Sequence, residues 1–183
     1  MRARVGERAR GKRLAFVLRH RPDSVGLALD PEGFLLVEAL AAALGWSSAE
    51  LLEVVETDDK GRFALSVDGL CVRACQGHSV AVDLGLVACE PPAQLFHGTV
   101  ARNLAAIAEE GLRPMGRTHV HLSVDEETAR RVGARRGEPC VLRVDSAAMA
   151  REGFTFHRSD NGVWLTDAVP PRFLTTPPAD PRR

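Results

Sequence analysis

The sequence predicts an α+β protein built from two lobes, residues 1–90 and 91–183. Helical patterns followed by a short apolar hairpin occupy the first half, whereas strands and helices alternate in the second half. Between the halves, Cys89-Glu90-Pro91-Pro92 is short and stiff, because proline fixes its backbone angle φ. We therefore expect a linker at this point, with the two lobes facing each other across a fixed cleft.

Composition restricts the class of protein. Of the 183 residues, 45% are hydrophobic, which is enough for a globular core and argues against general disorder. The formal net charge is zero, so charge alone does not indicate a nucleic-acid-binding protein. The segment from Arg2 to Arg21, however, holds many basic residues and a single acid, Glu7. Arginine presents a fixed fork of donors suited to phosphate, although codon bias and solvated surface explain many arginines equally well.

The four cysteines are Cys71, Cys75, Cys89 and Cys140, and they contain no CxxC pair. A zinc site made of Cys71, Cys75 and His78 would lack a fourth ligand, and strand alternation would separate its side chains. We therefore expect no metal, and reduced, mostly buried thiols as in a cytoplasmic protein. No apolar run is long enough to span a bilayer and no signal-peptide pattern is present, so we expect no membrane association.

The first lobe is expected to begin with a frayed basic arm, residues 1–6, and a helix over Glu7–Arg19. This helix ends before Pro22, because a proline disfavours helical backbone in the residue that precedes it. The inner face of the helix is predicted to hold Leu14, Val17 and Leu18. A turn at Asp30-Pro31-Glu32-Gly33 then separates the apolar stretches Val25–Leu29 and Phe34–Val37.

Two more helices and a hairpin complete the first lobe. A helix is predicted over Val37–Leu44, and the capping-box pattern Ser47-Ser48-Ala49-Glu50 begins a third helix that runs to Val55. The segments Arg62–Val67 and Leu70–Ala74 are predicted to pair across the turn Asp68-Gly69. Helices followed by a two-stranded wing favour a winged-helix module.

The second lobe begins with a strand that is predicted to end at Leu95-Phe96, just before His97-Gly98-Thr99. Gly98 would let a ligand approach the backbone, because it has no Cβ. A helix follows, with Gly111 at its end and Leu104, Ile107 and Ala108 on one side. Arg117 and an alternating strand, Thr118–Leu122, come next, so His97, Arg117 and a histidine of this strand are expected near one site.

The remaining elements are short. The patterns predict helices over Asp125–Val132 and Ser146–Arg151, and strands over Cys140–Val144, Phe154–Phe156 and Gly162–Leu165. The last two strands are joined by the polar turn Ser159-Asp160-Asn161. Val169-Pro170-Pro171 is expected to end the regular structure, and Pro177–Arg183 to form a tail.

Four segments could carry chemistry, and each also has a plain structural explanation. Leu18-Arg19-His20-Arg21-Pro22 places cations at a helix C-terminus, which suits the helix dipole without any ligand. Arg73 to Ser79 could be a hairpin exit with a surface arginine. His97 could be a hydrogen-bonded core histidine, and Asn161-Gly162 a simple turn. His119 and His121 could be a metal pair on one strand face, but no further ligands complete such a site.

Together these segments resemble the RNA 2′-phosphotransferase (KptA) family, whose members are similar in fold to ADP-ribosyltransferases. The resemblance rests on the motifs LRHxP, KxRF, RAxQGHS, HGT, RxHVHLS and NGVWLT, which occur in the family's order and span nearly the whole chain. It implies an N-terminal winged-helix-like lobe that binds RNA and a C-terminal ADP-ribosyltransferase-like lobe that binds NAD.

The resemblance also assigns residues to roles. The catalytic set would be Arg19, His20, Arg73 and Arg117. The residues expected to meet NAD are His97, Gly98, Thr99, His119, His121 and Ser123. RNA contacts are expected from Lys60, Arg62, Gln76 and His78.

Two positions depart from related patterns. The family shows asparagine where this chain has Cys75, so a contact from that amide to RNA would be altered here. Many other ADP-ribosyltransferases carry a glutamate where this family and this chain have Val163. The second departure argues against transfer of ADP-ribose to proteins.

The reaction implied by the resemblance removes an internal 2′-phosphate from RNA, as in RNA processing such as tRNA splicing, with NAD as co-substrate. An ADP-ribosylated RNA 2′-phosphate would form first. The products would be RNA with a 2′-hydroxyl, nicotinamide and ADP-ribose 1″,2″-cyclic phosphate. We expect a cytoplasmic monomer. Two alternatives stay open: an NAD-dependent ADP-ribosyltransferase that acts on terminal phosphates of nucleic acids, and a non-catalytic RNA-binding module.

Overall fold

The computed structural model describes residues 2–175, apart from the side chains of residues 2–5 and 7. The predicted tail Pro177–Arg183 lies outside the described residues. The described chain divides into two compact units, one ending at Leu86 and the other beginning at Val87. It contains six α-helices and small antiparallel sheets, which confirms a mixed α and β protein. None of the helices in the described part is long and apolar enough to cross a membrane.

The first unit packs three helices against a three-stranded antiparallel sheet. The helices are α1, Arg2–Arg19, α2, Val37–Leu44, and α3, Ser48–Glu56. The strands are β1, Phe34–Leu36, β2, Phe63–Leu65, and β3, Cys71–Ala74, in the order β1-β3-β2. The predicted hairpin is confirmed, since Phe63 pairs with Ala74 and Leu65 with Val72. The strand β3 is central, so both of its edges are paired.

The core of the first unit consists of apolar side chains from all three helices and from β3. Its fully buried members include Leu14, Leu18, Leu40, Leu51 and Val72. The capping box is confirmed, because the Ser47 hydroxyl accepts from Glu50 N while Glu50 Oε2 accepts from Ser47 N. The predicted frayed arm is wrong, because α1 begins at Arg2. Arginine and alanine, which dominate this segment, are strong helix formers.

The second unit contains two three-stranded antiparallel sheets. The first has the order β4-β6-β9, formed by Leu95–Val100, Pro139–Val144 and Leu174–Thr175. The second has the order β5-β8-β7, formed by Val120–Leu122, Trp164–Thr166 and His157–Arg158. A pair of backbone hydrogen bonds between Phe96 and Ser123, 2.9 and 2.8 Å, links the two sheets. This link brings the strand that carries His97 next to the end of β5.

Three helices cover these sheets: α4, Leu104–Glu110, α5, Glu126–Gly133, and α6, Ser146–Arg151. Buried apolar residues between them include Leu95, Val144, Met149, Phe156 and Val169. The unit also takes in the residues just after Leu86, because Ala88 pairs with His157 and Cys89 N donates to Phe156 O at 2.9 Å.

Several predicted boundaries in the second unit are wrong. The strand expected to end at Phe96 continues to Val100, because β4 pairs with β6 along six residues. The segment 154–156 is not a strand: Phe154 N caps α6 by donating to Met149 O, and Phe156 fills the core. Ala108, expected on the inner side of α4, is exposed. Regular structure continues beyond Pro171. A 3-10 turn over Pro171–Phe173 leads to β9, in which Leu174 pairs with Val144 of β6.

Candidate active site

In the first unit, the end of α1 presents Arg19 and His20. The backbone N–H groups of His20 and Arg21 both donate to Phe16 O, at 3.0 and 3.2 Å, and these bonds close the last turn of the helix. Pro22 then begins a 3-10 turn, so the helix cannot continue. The position of the Arg-His pair is therefore set by the backbone that ends the helix.

Arg73 reaches the surface of the first unit from the central strand β3. It lies opposite Phe34 of β1, and its guanidinium carbon lies 4.8 Å from the centroid of the Phe34 ring. Its Nη1 also lies 3.4 Å from Leu84 O. A guanidinium stacked on an aromatic ring directs its N–H donors along the ring plane, and its planar fork can bind two oxygens of a phosphate.

The imidazole of His78 is fully buried beside these cations. Burial, and to a lesser degree the charges of Arg19, His20 and Arg73, together lower the pKa of His78 to about 4. His78 is therefore neutral at pH 7. Its ring nitrogens form no hydrogen bond with any of the described residues. The structure thus brings Arg19, His20 and Arg73 together around one neutral histidine.

Ser79 is a site residue that the sequence reasoning missed, although it ends the RAxQGHS motif. Its Oγ lies 2.9 Å from His20 Nδ1, and its backbone N donates to Arg19 O, also at 2.9 Å. Ser79 is therefore hydrogen-bonded to the residues at the end of α1 through both its side chain and its backbone.

The other residues expected to contact RNA are placed differently. Arg62 Nε donates to Asp58 Oδ1 at 2.8 Å, in an ion pair whose carboxylate side chain is only 2% exposed. The guanidinium also packs against α1 at Gly11. These contacts explain Arg62 without a ligand. Lys60 is exposed and Gln76 is half-buried.

In the second unit, His97 is fixed by backbone structure. It lies in β4 opposite Leu142, and its Nδ1 is 3.1 Å from the backbone carbonyl of His121. Because a carbonyl only accepts, Nδ1 carries the proton. Burial lowers the pKa of His97, the bond to His121 raises it, and the charges of Arg136 and Arg117 lower it again. A neutral His97 therefore presents Nε2 as a hydrogen-bond acceptor.

Arg117 lies in an irregular segment just before β5. Its Nη1 is 3.0 Å from His121 Nδ1. Because arginine only donates, that nitrogen of His121 accepts and the imidazole proton is on Nε2. The residue is exposed as a whole, but desolvation of the guanidinium lowers the pKa of Arg117, and repulsion from Arg136 and Arg135 lowers it further. The group stays charged, since free arginine titrates far above neutral pH.

Arg135 and Arg136 were not expected from the sequence as neighbours of this site. Both lie on the 3-10 turn Ala134–Arg136 that follows α5, and this turn contacts β4. Arg102 Nη2 donates to Arg136 O at 3.3 Å. The Arg-Arg run before Gly137 was the signal available in the sequence. The result is a positively charged surface around His97 and Arg117.

The structure corrects the interpretation of Gly98. A Cβ at this position would collide with the backbone carbonyl oxygen of Ala129 and would lie 2.8 Å from Gly133 N. The glycine is therefore required because α5 packs directly on β4, and not because a ligand approaches from that side. Side chains alternate along a strand, so His97 and Thr99 point to the opposite face.

The remaining predicted NAD contacts are spread over the second unit. Thr99 is buried and its Oγ1 accepts from Asn103 Nδ2 at 3.2 Å, while Ser123 is paired with Phe96 through its backbone. His119 belongs to another group. Its ring lies 6.1 Å from that of His157, and its Nε2 is 3.9 Å from Asp167 Oδ1. Burial lowers the pKa of His119, Asp167 raises it and His157 lowers it.

Metal coordination would be another explanation for neighbouring histidines and cysteines. Across residues 2–175, no group of three or more His, Cys, Asp or Glu side chains could hold a metal ion. Some of the predicted site residues, together with Ser79, Arg135 and Arg136, form two clusters, each within its own unit. The first cluster contains Arg19, His20, Arg73, His78 and Ser79, and the second contains His97, Arg117, His121, Arg135 and Arg136.

Comparison with known proteins identifies the family. Residues 6–168 match the RNA 2′-phosphotransferase, Tpt1/KptA family. A probable RNA 2′-phosphotransferase of Streptomyces griseus is 56% identical over 175 residues, covering 89% of this chain and 93% of that protein. A probable RNA 2′-phosphotransferase of Agrobacterium fabrum is 53% identical over 172 residues, covering 91% of this chain and 92% of that protein. The chain therefore belongs to the RNA 2′-phosphotransferase, Tpt1/KptA family.

Proposed function

We propose that this protein removes an internal 2′-phosphate from RNA by transferring it to the ADP-ribose part of NAD. The observation that carries the proposal is the grouping of Arg19, His20 and Arg73 around the buried, neutral His78. Residues distant in sequence come together there as a cationic site, and two of them are guanidiniums. Arginine forks match phosphate oxygens better than any other side chain does.

In the first step, an oxygen of the RNA 2′-phosphate forms a bond to C1″ of the nicotinamide ribose. The bond from C1″ to the ring nitrogen breaks, and nicotinamide leaves as a neutral molecule with the electron pair. A phosphate is already a nucleophile, so this step needs orientation and not a strong base. Arg19 and Arg73 would hold the phosphate, and Arg117 would be the third cation.

In the second step, the 2″-hydroxyl oxygen of the same ribose bonds to phosphorus and loses its proton. The bond from phosphorus to the RNA 2′-oxygen breaks, and that oxygen gains a proton. The products are RNA with a 2′-hydroxyl and ADP-ribose 1″,2″-cyclic phosphate. The arginines would stabilise the negative charge that gathers around phosphorus, and His20 would move the proton.

The second cluster has the chemistry that NAD requires. NAD carries hydroxyl and amide donors together with a negatively charged pyrophosphate. His97 offers a neutral acceptor nitrogen, and Arg117, Arg135 and Arg136 supply positive charge around it. We therefore propose that the second unit is the ADP-ribosyltransferase-like, NAD-binding lobe. The helices and the β2–β3 hairpin of the first unit support its assignment as the winged-helix-like RNA lobe.

Nicotinamide release from NAD tests this function. The purified protein should release nicotinamide when given an oligoribonucleotide with one internal 2′-phosphate, and should not do so with the matched 2′-hydroxyl oligonucleotide. An oligonucleotide whose phosphate is at the 5′ end tests transfer to terminal phosphates. Release of nicotinamide with the 5′-phosphate oligonucleotide, together with no release with the internal 2′-phosphate oligonucleotide, would contradict the proposal.

A further inference from the structure

We propose that Ser79 is a positioning residue for His20, and that it holds the imidazole so that Nε2 is the nitrogen that exchanges a proton with the substrate. The inference rests on the proposed function and concerns a residue to which that function assigns no role. It starts from the 2.9 Å separation of Ser79 Oγ and His20 Nδ1.

The geometry makes Ser79 a fixed partner. Its backbone N donates to Arg19 O at 2.9 Å, so Ser79 is anchored to the residue that precedes His20. Its side chain then bonds to the ring of His20 itself. The chain separation of 59 residues shows that two distant segments meet here, one from the end of α1 and the other from the loop after β3. A local turn alone would not require this arrangement.

The choice of a hydroxyl matters because its oxygen accepts a hydrogen bond without carrying a charge. When His20 is neutral with its proton on Nδ1, Nδ1–H donates to Ser79 Oγ and Nε2 is an acceptor. When His20 is charged, Nδ1–H still donates to Ser79 Oγ and Nε2 carries the second proton. The same contact therefore persists while Nε2 gains or loses a proton. A carboxylate at this position would favour the charged form and so hinder release of that proton.

Nδ1 is engaged by Ser79 in both states, so Nε2 is the nitrogen that can transfer a proton without breaking this hydrogen bond. The neighbouring imidazole of His78 is buried, and its ring nitrogens form no hydrogen bond with any of the described residues, so it does not replace Ser79 as the partner of His20. In the second step, His20 would therefore act through Nε2, and Ser79 would set the ring orientation.

Single-turnover kinetics with 2′-phosphorylated RNA and saturating NAD test the inference. Loss of one hydrogen bond corresponds to a change of about 2- to 12-fold, so Ser79→Ala should slow the second step by that factor and leave the first within about twofold. The ADP-ribosylated RNA should then accumulate as a slower-migrating band. Ser79→Thr keeps the hydroxyl and should restore the wild-type ratio of the two rates. Ser24→Ala, which removes a hydroxyl bonded only to Arg21 O among the described residues, is the matched control.

A double-mutant cycle separates positioning from a general structural effect. If Ser79 acts through His20, adding Ser79→Ala to His20→Ala should change the second step by less than about twofold. A further loss of the full single-mutant factor in the double variant would overturn the inference. Equal slowing of both steps by Ser79→Ala would overturn it as well.

A spectroscopic measurement keeps this inference distinct from the proposed function. In 15N-labelled protein, Ser79→Ala should shift the His20 Nδ1 resonance, and Ser24→Ala should leave it in place. An unchanged Nδ1 resonance would overturn the contact whether or not the enzyme turns over. If the resonance shifts but the wild-type protein releases no nicotinamide from NAD, the proposed function is wrong, and the positioning role falls with it.

Discussion

The cations of the first unit are placed by regular structure, whereas Arg117 of the second unit is placed by a side chain. Arg19 and His20 end α1, and Arg73 lies in the middle of a three-stranded sheet. Arg117 lies in a bend before β5, and its guanidinium is bonded to His121 Nδ1. The first cluster should therefore tolerate substitutions around it. In the second cluster, the position of Arg117 depends on Nδ1 of His121 remaining unprotonated.

The two clusters also differ in how they hold imidazoles. His78 is neutral because it is buried among cations. His97 is neutral because it is buried, and its bond from Nδ1 to a backbone carbonyl fixes which nitrogen carries the proton. His20, in contrast, has a hydroxyl partner that can serve both of its protonation states. Proton transfer is therefore expected from the first cluster and not from the second.

The largest effect is expected from His20→Ala. General acid–base catalysis contributes about 10²- to 10⁴-fold, so the second step should slow by a factor in that range, while the first step changes much less. RNA carrying the ADP-ribosylated 2′-phosphate should accumulate and be visible as a slower-migrating band in a single-turnover assay. Equal slowing of both steps without that band would reduce His20 to a positioning residue and remove the proposed contrast between the clusters.

Arg73→Ala and Arg117→Ala compare one cation from each cluster. A hydrogen bond to a charged group contributes roughly 1.5–3 kcal/mol, so each variant should lose about tenfold to over a hundredfold in kcat/KM. Neither should cause the adduct to accumulate as His20→Ala does. Arg113→Ala is a suitable control, because Arg113 is exposed and paired with Glu110 at 3.5 Å. Full activity of Arg117→Ala would show that Arg117 takes no part in binding or transferring the phosphate.

Gly98→Ala tests whether the second cluster depends on the packing of α5 on β4. The added Cβ would meet the Ala129 carbonyl, and overpacking costs about 1–3 kcal/mol. The melting temperature should fall by about 2–12 °C. Gly116→Ala, where a Cβ would meet nothing within 4 Å, should change it little. If Gly98→Ala weakened NAD binding at an unchanged melting temperature, ligand access would be the better explanation of this glycine.

A further expected effect is a pH dependence of stability that arises from the first cluster. In the unfolded chain His78 has a pKa of 6.5, and in the folded protein about 4. Between these values the unfolded chain binds more protons, so the free energy of unfolding falls as the pH falls. The loss should be about 2 kcal/mol at pH 5 relative to pH 8. His78→Leu should remove this component of the slope in urea unfolding, whereas no contribution from His78 is expected between pH 7 and 8.

An undiminished slope in His78→Leu would place the titrating group elsewhere. His97 and His119 also have lowered pKa values, and they are the next groups to substitute.

Elements determined by local patterns could be predicted from the sequence. The helix α2 and the capping box of α3 follow from neighbouring residues, and the β2–β3 hairpin follows from the turn Asp68-Gly69 and the apolar runs around it.

The segment at Phe154 was misassigned because its alternation reflects two aromatic rings packing in an irregular loop. Its backbone bonds to Met149 and not to a strand, and nothing in the local pattern reveals that.

The candidate site also has a part that local sequence motifs predict and a part that only tertiary contacts determine. The family motifs predicted which arginines and histidines act at the site, but not the partners that orient them. The contact of Ser79 with His20 spans 59 residues, and the turn that carries Arg135 and Arg136 reaches the site only because α5 packs on β4. The role of Gly98 was misread for the same reason, since the residue that fills the space beside it comes from a helix some 30 positions later. Such contacts depend on tertiary structure, which no local spacing encodes.

The backbone contacts that follow Leu86 have a practical consequence for dissecting the chain. Ala88 pairs with His157 and Cys89 N donates to Phe156 O, so these residues supply part of the support for the strand β7. A fragment that begins at Pro91 would cut this support away and leave Phe156 O without its donor. A separately expressed second unit should therefore begin before Val87, and a protease cut made for the same purpose should fall on the N-terminal side of that residue.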